Sequence, residues 1–281
     1  MTVVDAPAES GQAPAPPLRR RRGGDGARST ALGVAGLVAF AAVLEAVPRT
    51  GLVDRDALPP TSEIVSALVT ELGEPGLWRA LGSTMTAWAI GLTIASIAAV
   101  LIGLALGSIP FLRASTASTI EFLRPIPSVA LIPLAVLLYG NAIESTLLLV
   151  VYACFWQVLV QVIAGVADVD PVAADTARSY GLGPFARTRY VTWPTALPYV
   201  MTGLRLAASV ALVLAITVEL ITGAPGLGSE ISAARSGGAV PLTYALVVVS
   251  GLVGVTINLV VRAVERRALS WHPSVRGEAV S

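Results

Sequence analysis

Apolar positions in this chain come in long blocks, and the polar positions are gathered between them. Six blocks stand out, at about residues 31–47, 84–106, 126–139, 145–167, 200–221 and 242–261. Most have the roughly 17–25 residues that a helix needs to cross a bilayer. The third is short and holds Pro127 and Pro133. Residues 121–124 would have to add a turn for it to span, and its prolines are tolerated only where other helices pack around them. The pattern predicts an all-α, polytopic membrane helix bundle with about six transmembrane helices.

Between the first two blocks, "PPTSEIVSALVTELGEPGLWRAL" reads as one short helix outside the membrane. Ser62 is its expected cap, Glu63 sits in its first turn and Gly73 ends it. Ile64, Leu68 and Leu72 share one face at four-residue spacing, which suits a helix resting on the membrane surface or on the bundle.

Composition agrees with the blocks. The chain is 54% hydrophobic and 13% charged over 281 residues, with a mean hydropathy of +0.75. A soluble domain of that length needs more polar surface. Residues 1–30 differ, being rich in Ala, Pro, Gly and charge with almost nothing to bury, and are expected to be a disordered tail. The membrane domain is then 31–269, followed by a short tail at 270–281. Ala39-Phe40-Ala41 has the small-x-small form of a signal-peptide cleavage site. The parity of the later blocks fits an uncleaved first helix instead.

All 19 basic residues are arginine. Without lysine there is no phosphate-binding loop of the GxxxxGK[ST] kind, which excludes an ordinary nucleotide-hydrolysing subunit. Cys154 is the single cysteine and His272 the single histidine, so a disulfide, a Cys/His zinc cluster and a Cys–His nucleophile pair are all excluded or unsupported. Cys154 lies mid-block and reads as a small buried apolar residue. No two carboxylates show catalytic spacing. The expectation is no catalytic residue, no metal and no cofactor, and a net charge of +1 gives no sign of nucleic acid as a partner.

The arginines also orient the chain. With the amino terminus inside, fourteen fall in inner segments (among them Arg113 and Arg124) and four, Arg49, Arg55, Arg79 and Arg235, in outer ones. The excess predicts that both termini are cytoplasmic. It also turns "DTARSYGLGPFARTRYVTWP", Asp175 to Pro194, toward the cytosol. With its lead-in, this insert carries helix signals. Asp170 is a good N-cap, Pro171 a good first residue and Gly181 a left-handed stop, which predicts a helix over 171–180. Gly183 and Pro184 start a second helix to about Trp193, and Pro194 and Pro198 are expected to break the chain before the fifth span. The result is a rigid elbow that a soluble partner could push.

These residues resemble the permease subunits of binding-protein-dependent ABC importers, whose cytoplasmic motif is EAA, three residues, G, nine residues, I-x-L-P. Here Asp175-Thr176-Ala177, Gly181 and Val191-x-Trp193-Pro194 keep the spacing; Asp175, Thr176, Val191 and Trp193 are substitutions, whereas Ala177, Gly181 and Pro194 match. "RSYGL" (with Tyr180), "FLRPIPSVALIPLAVLLYG", "PPTSEIVSAL" and "GAPGLGSEISAAR" resemble the nitrate, sulfonate and taurine branch, from about residue 30 to 275. The resemblance implies a homodimer in the cytoplasmic (inner) membrane. It also implies two copies of a cytoplasmic ATP-binding subunit, an extracytoplasmic substrate-binding protein and a small anion as cargo. Asp175, Thr176, Ala177, Tyr180, Gly181, Val191 and Pro194 would couple to the ATPase.

Three charges fall within or beside the spans. Glu219, in "TVELITG", is costly to bury and is a candidate for the translocation pathway or a helix-end carboxylate reaching water. Arg205 reads as snorkelling to the inner surface, and Glu45 as interfacial. A stand-alone secondary transporter is the alternative, but the broken third segment has no counterpart in the other half. A membrane-bound enzyme lacks a cluster to carry chemistry.

Overall fold

The computed structural model describes residues 25–51 and 53–271, and among these every regular element is helical. The elements are α1 (Asp25–Arg49), α2 (Thr61–Leu72), α3 (Pro75–Ser108), α4 (Pro110–Leu123), α5 (Ile132–Tyr139) and α6 (Ile143–Ala167). After them come α7 (Pro171–Ser179), α8 (Pro184–Arg187), α9 (Trp193–Thr222), α10 (Leu227–Ser236) and α11 (Val240–Ala268). His272 and most of both expected tails lie outside the described residues.

Among the described residues, five helical stretches are long and apolar enough to cross a membrane, or six if the bent pair α4 and Ser128–Tyr139 counts as one span. That pair corrects the short third span of the sequence reading. The helix stops at Leu123, with Arg124 still in helical geometry as its C-cap, because Pro125 has no N–H to continue the ladder. A single tight turn, Ser128–Leu131, then leads into α5 at an angle of 78° to α4. The remaining spans run a few residues beyond the apolar blocks at either end.

The core is formed where α6 packs between α3 and α9. Small residues bring the backbones together: a Cβ on Gly103 would lie 2.7 Å from Val162 Cγ1, and one on Gly165 would lie 2.9 Å from Ala196 Cα. Trp88 Nε1 of α3 donates to the Ala208 carbonyl of α9 at 2.9 Å. Cys154 is fully buried here, its thiol 3.3 Å from the Ala207 carbonyl oxygen.

At one end of the bundle α10 and α2 cover the helix ends, with Leu227, Ile231, Leu77 and Leu246 forming a second apolar cluster. α2 rests on the bundle through Ile64, Ala67, Leu68 and Glu71, whereas Leu72 turns outward. Its cap is not Ser62. Pro60 holds the N-cap position, and the Glu45 carboxylate of α1 accepts from the Ser62 N–H at 2.8 Å and from its hydroxyl at 2.9 Å. Glu45 thereby supplies an acceptor for the orphan amides of α2 while pairing with Arg49. On the same helix, partial burial and the carboxylates Glu74 and Glu230 hold Glu71 above the usual carboxylate range.

The other end carries the insert, and here the sequence reading needs its largest correction. Pro194 and Pro198 do not break the chain. A widened turn over Thr188–Thr192 joins α8 to α9, and residues Pro184–Thr222 form one continuous helical stretch of 39 residues. The wider turn accommodates the ring and missing N–H of Pro194, and Pro198 sits inside α9 without ending it.

Candidate functional site

The insert is built as its sequence signals require. The Asp170 side chain accepts from the Val172 N–H at 2.8 Å, capping α7 behind Pro171. Gly181 takes φ +75°, a conformation that costs glycine little. The Leu182 N–H reaches back to the Ala177 carbonyl at 3.0 Å and the Gly181 N–H to the Arg178 carbonyl at 2.9 Å, which closes the helix end. Gly183 precedes Pro184, and α8 starts at once.

The residues singled out from the sequence divide into three groups. Asp175 is exposed and pairs with Arg178 at 2.7 Å, and the Thr176 hydroxyl donates to the Val172 carbonyl at 2.7 Å. Ala177 is buried on the inward face, and Tyr180 stands 81% exposed beside Gly181. Val191 is brought to this group: with Ala174, Arg178 and Arg187 it lines a cavity of about 470 Å³ between the insert and the ends of α3 and α6. Pro194 faces a different cavity, near Asp168 and Tyr199. Glu219 lies at the opposite end of α9.

Sequence reasoning missed the apolar side chains that the insert shows to solvent. Val172, Phe185 and Tyr190 are exposed beside Tyr180, from 70% for Tyr190 to 84% for Phe185. Large apolar residues in a polar insert were the available signal. Arg189 lies over the Tyr190 ring, 5.8 Å from its centre. The elbow is thus an apolar, Arg-flanked surface on a rigid support.

At the far end of α9, Glu219 is 1% exposed. Its Oε2 accepts from the Thr84 hydroxyl of α3 at 2.8 Å and from the Gly228 N–H of α10 at 3.1 Å. Thr84 in turn accepts from the Leu227 N–H at 2.9 Å. Oε1 has no protein partner and abuts Gly226, where a Cβ would overlap the carboxylate. The Ser229 hydroxyl closes the turn, accepting from the Gly226 N–H at 3.1 Å and donating to its carbonyl at 2.7 Å. Spacing gives no hint of a partner 135 residues away, although the glycines of "GAPGLG" mark the close approach. Arg205, read as snorkelling, is only part-exposed and pairs with Glu265 of α11 at 3.4 Å.

Among the described residues no group of three His, Cys, Asp or Glu side chains could hold a metal ion. The architecture is that of a transmembrane bundle with a stiff external elbow.

Known proteins share this plan. Residues 91–270 match the family described as "Binding-protein-dependent transport system inner membrane component". The taurine transport system permease protein TauC of Escherichia coli is 30% identical over 89% of this chain and 92% of its own length. The putative aliphatic sulfonates transport permease protein SsuC of Bacillus subtilis is 25% identical, covering 84% of this chain and 86% of its own. The nitrate import permease protein NrtB of Leptolyngbya laminosa is 22% identical, covering 70% of each. Among solved structures, the MetNI methionine ABC transporter in an inward-facing conformation has the same fold, with TM-score 0.60 at 16% identity over 70% of this chain and 99% of that one. A bacterial ABC transporter that imports the acidic polysaccharide alginate gives TM-score 0.60 at 16% identity, over 86% and 97%. The chain therefore belongs to the inner membrane components of binding-protein-dependent transport systems, as an ABC importer permease of the branch that includes the taurine, aliphatic sulfonate and nitrate permeases.

Proposed function

We propose that this permease carries a small anion of the sulfonate or nitrate class across the cytoplasmic membrane, working as a homodimer with two copies of a separate ATP-binding subunit. The elbow faces the cytosol and seats on the ATPase through Val172, Tyr180, Phe185 and Tyr190, supported by Asp175, Thr176, Ala177 and Gly181. Both termini share that side, in keeping with the arginine excess. The α10 end faces outward, toward a substrate-binding protein. ATP hydrolysis resides in the partner, since a chain without lysine cannot form the lysine-bearing phosphate loop.

The observation that carries this reading is the exposed apolar elbow fused directly to a span. Closure of two soluble domains is a rigid-body motion. A capped helix joined to a continuous 39-residue rod passes that motion into the membrane, and Val191 and Pro194 lie at the start of the rod. Glu219 lies at its far end, where it ties α10 to α3 and α9. We assign it to the outer end of the translocation machinery as the tie that holds the outer cover in register.

The test is co-expression of the full chain with its ATPase and binding-protein partners. The ATPase should co-purify, hydrolysis should be absent from the permease alone, and reporters at Ser281 and within residues 140–144 should report opposite sides. ATP hydrolysis by the permease alone, or same-side reporters, would contradict the reading.

A further inference from the structure

The face of α4 carries charge where a membrane helix should not. Arg113, Thr116, Ala117, Ile120, Glu121 and Arg124 share one helix face, each three or four residues from another of the group, and line one side of a cavity of about 220 Å³. Its other wall is Leu106, Val160 and Ile163. Arg113, Glu121 and Arg124 are exposed in the protomer, and none of the three side chains has an ion-pair or hydrogen-bond partner among the described residues.

The height of this face in the membrane follows from α6. The Tyr152 hydroxyl donates to the Leu123 carbonyl at the top of α4, at 2.7 Å. Tyr152 is nine residues from the start of the 25-residue span α6. At 1.5 Å per residue, the top of α4 therefore sits about 14 Å from one end of that span and about 22 Å from the other. Arg124 follows Leu123 directly, so it belongs mid-membrane rather than among the inner arginines of the sequence count. That count loses one and keeps its bias. Unpaired charges at this depth are too costly to face lipid and are found facing a bundle interior or a water-filled path.

We propose that this face of α4 lines the translocation path from mid-membrane inward and selects small oxyanions, with Arg124 and Arg113 as successive contacts. The proposal rests on the transport reading above and adds the residues that select the cargo. A guanidinium presents a planar fork of donors that matches the oxygens of a sulfonate or nitrate. The cavity is of small-anion size. Glu121 between the two cations keeps the net charge of the face at +1, so an anion is drawn in without being trapped, the balance that any conducting site needs.

The experiment uses the full chain assembled with its partners in membrane vesicles. The one native cysteine is replaced by Cys154→Ser, which keeps a donor for the Ala207 carbonyl, and a reporter thiol is placed on the face by Ala117→Cys. Two water-soluble methanethiosulfonates are compared, one bearing an ethylsulfonate and one a trimethylammonium, with rates normalised to those for free cysteine. A cationic path should favour the anionic reagent by about tenfold or more. Arg113→Gln with Arg124→Gln leaves Glu121 as the charge of the face and should bring the ratio below one, and Glu121→Gln should raise it. A thiol inert to both reagents, as at a lipid or protomer contact, would overturn the proposal. So would a normalised ratio at or below one with both arginines in place. ATPase co-purification from the same vesicles reads the functional assignment separately, so failure of one is distinguishable from failure of the other.

Discussion

The two ends of the α8–α9 rod are built on opposite terms. At the α10 end the contacts close within the protomer, Glu219 Oε1 excepted: Glu219 Oε2 meets Thr84 and Gly228, Thr84 meets Leu227, and Gly226 and Gly228 leave no room for a side chain. At the elbow end the backbone is equally well capped, but the side chains point outward, with Tyr180 and Phe185 more than four-fifths exposed. One end is packed within the protomer and the other leaves large apolar side chains exposed. Between them runs a single helical stretch of 39 residues, about 58 Å long at 1.5 Å per residue. A motion imposed on the elbow end reaches the α10 end without crossing a flexible joint. The contrast implies that substitutions at the α10 end act on folding, whereas those at the elbow act on partnership.

Two glycine substitutions set that contrast at its widest. A Cβ on Gly228 would lie 2.6 Å from the Leu220 amide nitrogen and 2.7 Å from Glu219 Cβ, with the Ile216 carbonyl closer still. Gly228→Val should cost about 3 kcal/mol or more, since the obstacle is backbone, and should be seen as loss of folded protein from the membrane. Around Gly181 there is open space, and only its positive φ resists a side chain. Gly181→Val should cost about 1–2 kcal/mol locally. Membrane abundance should stay near normal while ATPase capture and uptake fall. Equal abundance of the two variants would remove the distinction.

A smaller effect is expected at Glu219 itself. Glu219→Ala strips partners from the Thr84 hydroxyl and the Gly228 N–H and should lower stability by about 2–3 kcal/mol in thermal unfolding of the detergent-solubilised protein. Glu219→Gln keeps one acceptor oxygen and should lose less than half as much. If Gln and Ala are equally damaging, the tie depends on more than these hydrogen bonds.

The smallest effect belongs to Glu71. Its carboxyl is held above the usual range, so its ionisation opposes folding. The favourable contribution is complete below the unfolded-state value and is lost as pH rises through the folded-state one. Glu71→Gln should therefore match the parent in acid and be slightly the more stable at pH 7. A Gln variant less stable at pH 7 would show that the carboxylate is in a favourable contact instead.

Much of this was legible in sequence because it rests on local chemistry. Length and apolarity mark spans, and Asp170-Pro171 and Gly181 mark the ends of α7 through backbone rules that act within a few residues. What escaped was set by tertiary packing. Pro194 looks like a break until a widened turn before it takes up the ring, Pro198 looks like one but sits inside α9, and Ser62 looks like a cap until Glu45 from another helix takes the role. The third span looks like a short segment beginning near Ile126 because Pro125 and Pro127 dominate that stretch, while the amphipathic α4 before it has too many polar positions to stand out. Glu219 stands out as a carboxylate in an apolar span, but its partners on α3 and α10 cannot be read from spacing.

The central claim is that the elbow is an interface by chemistry and not merely a loop. The direct measurement is ATPase co-purification with Tyr180→Ala, Phe185→Ala, made alongside thermal unfolding of the same permease preparation. Both rings are exposed and support nothing in the protomer, so the unfolding temperature should correspond to a stability change within about 0.5 kcal/mol. As anchors of an interface they should together contribute about 2 kcal/mol or more, a loss of roughly 30-fold in ATPase affinity. Unchanged stability with lost ATPase binding is the predicted result; full ATPase binding by the double variant would contradict the account.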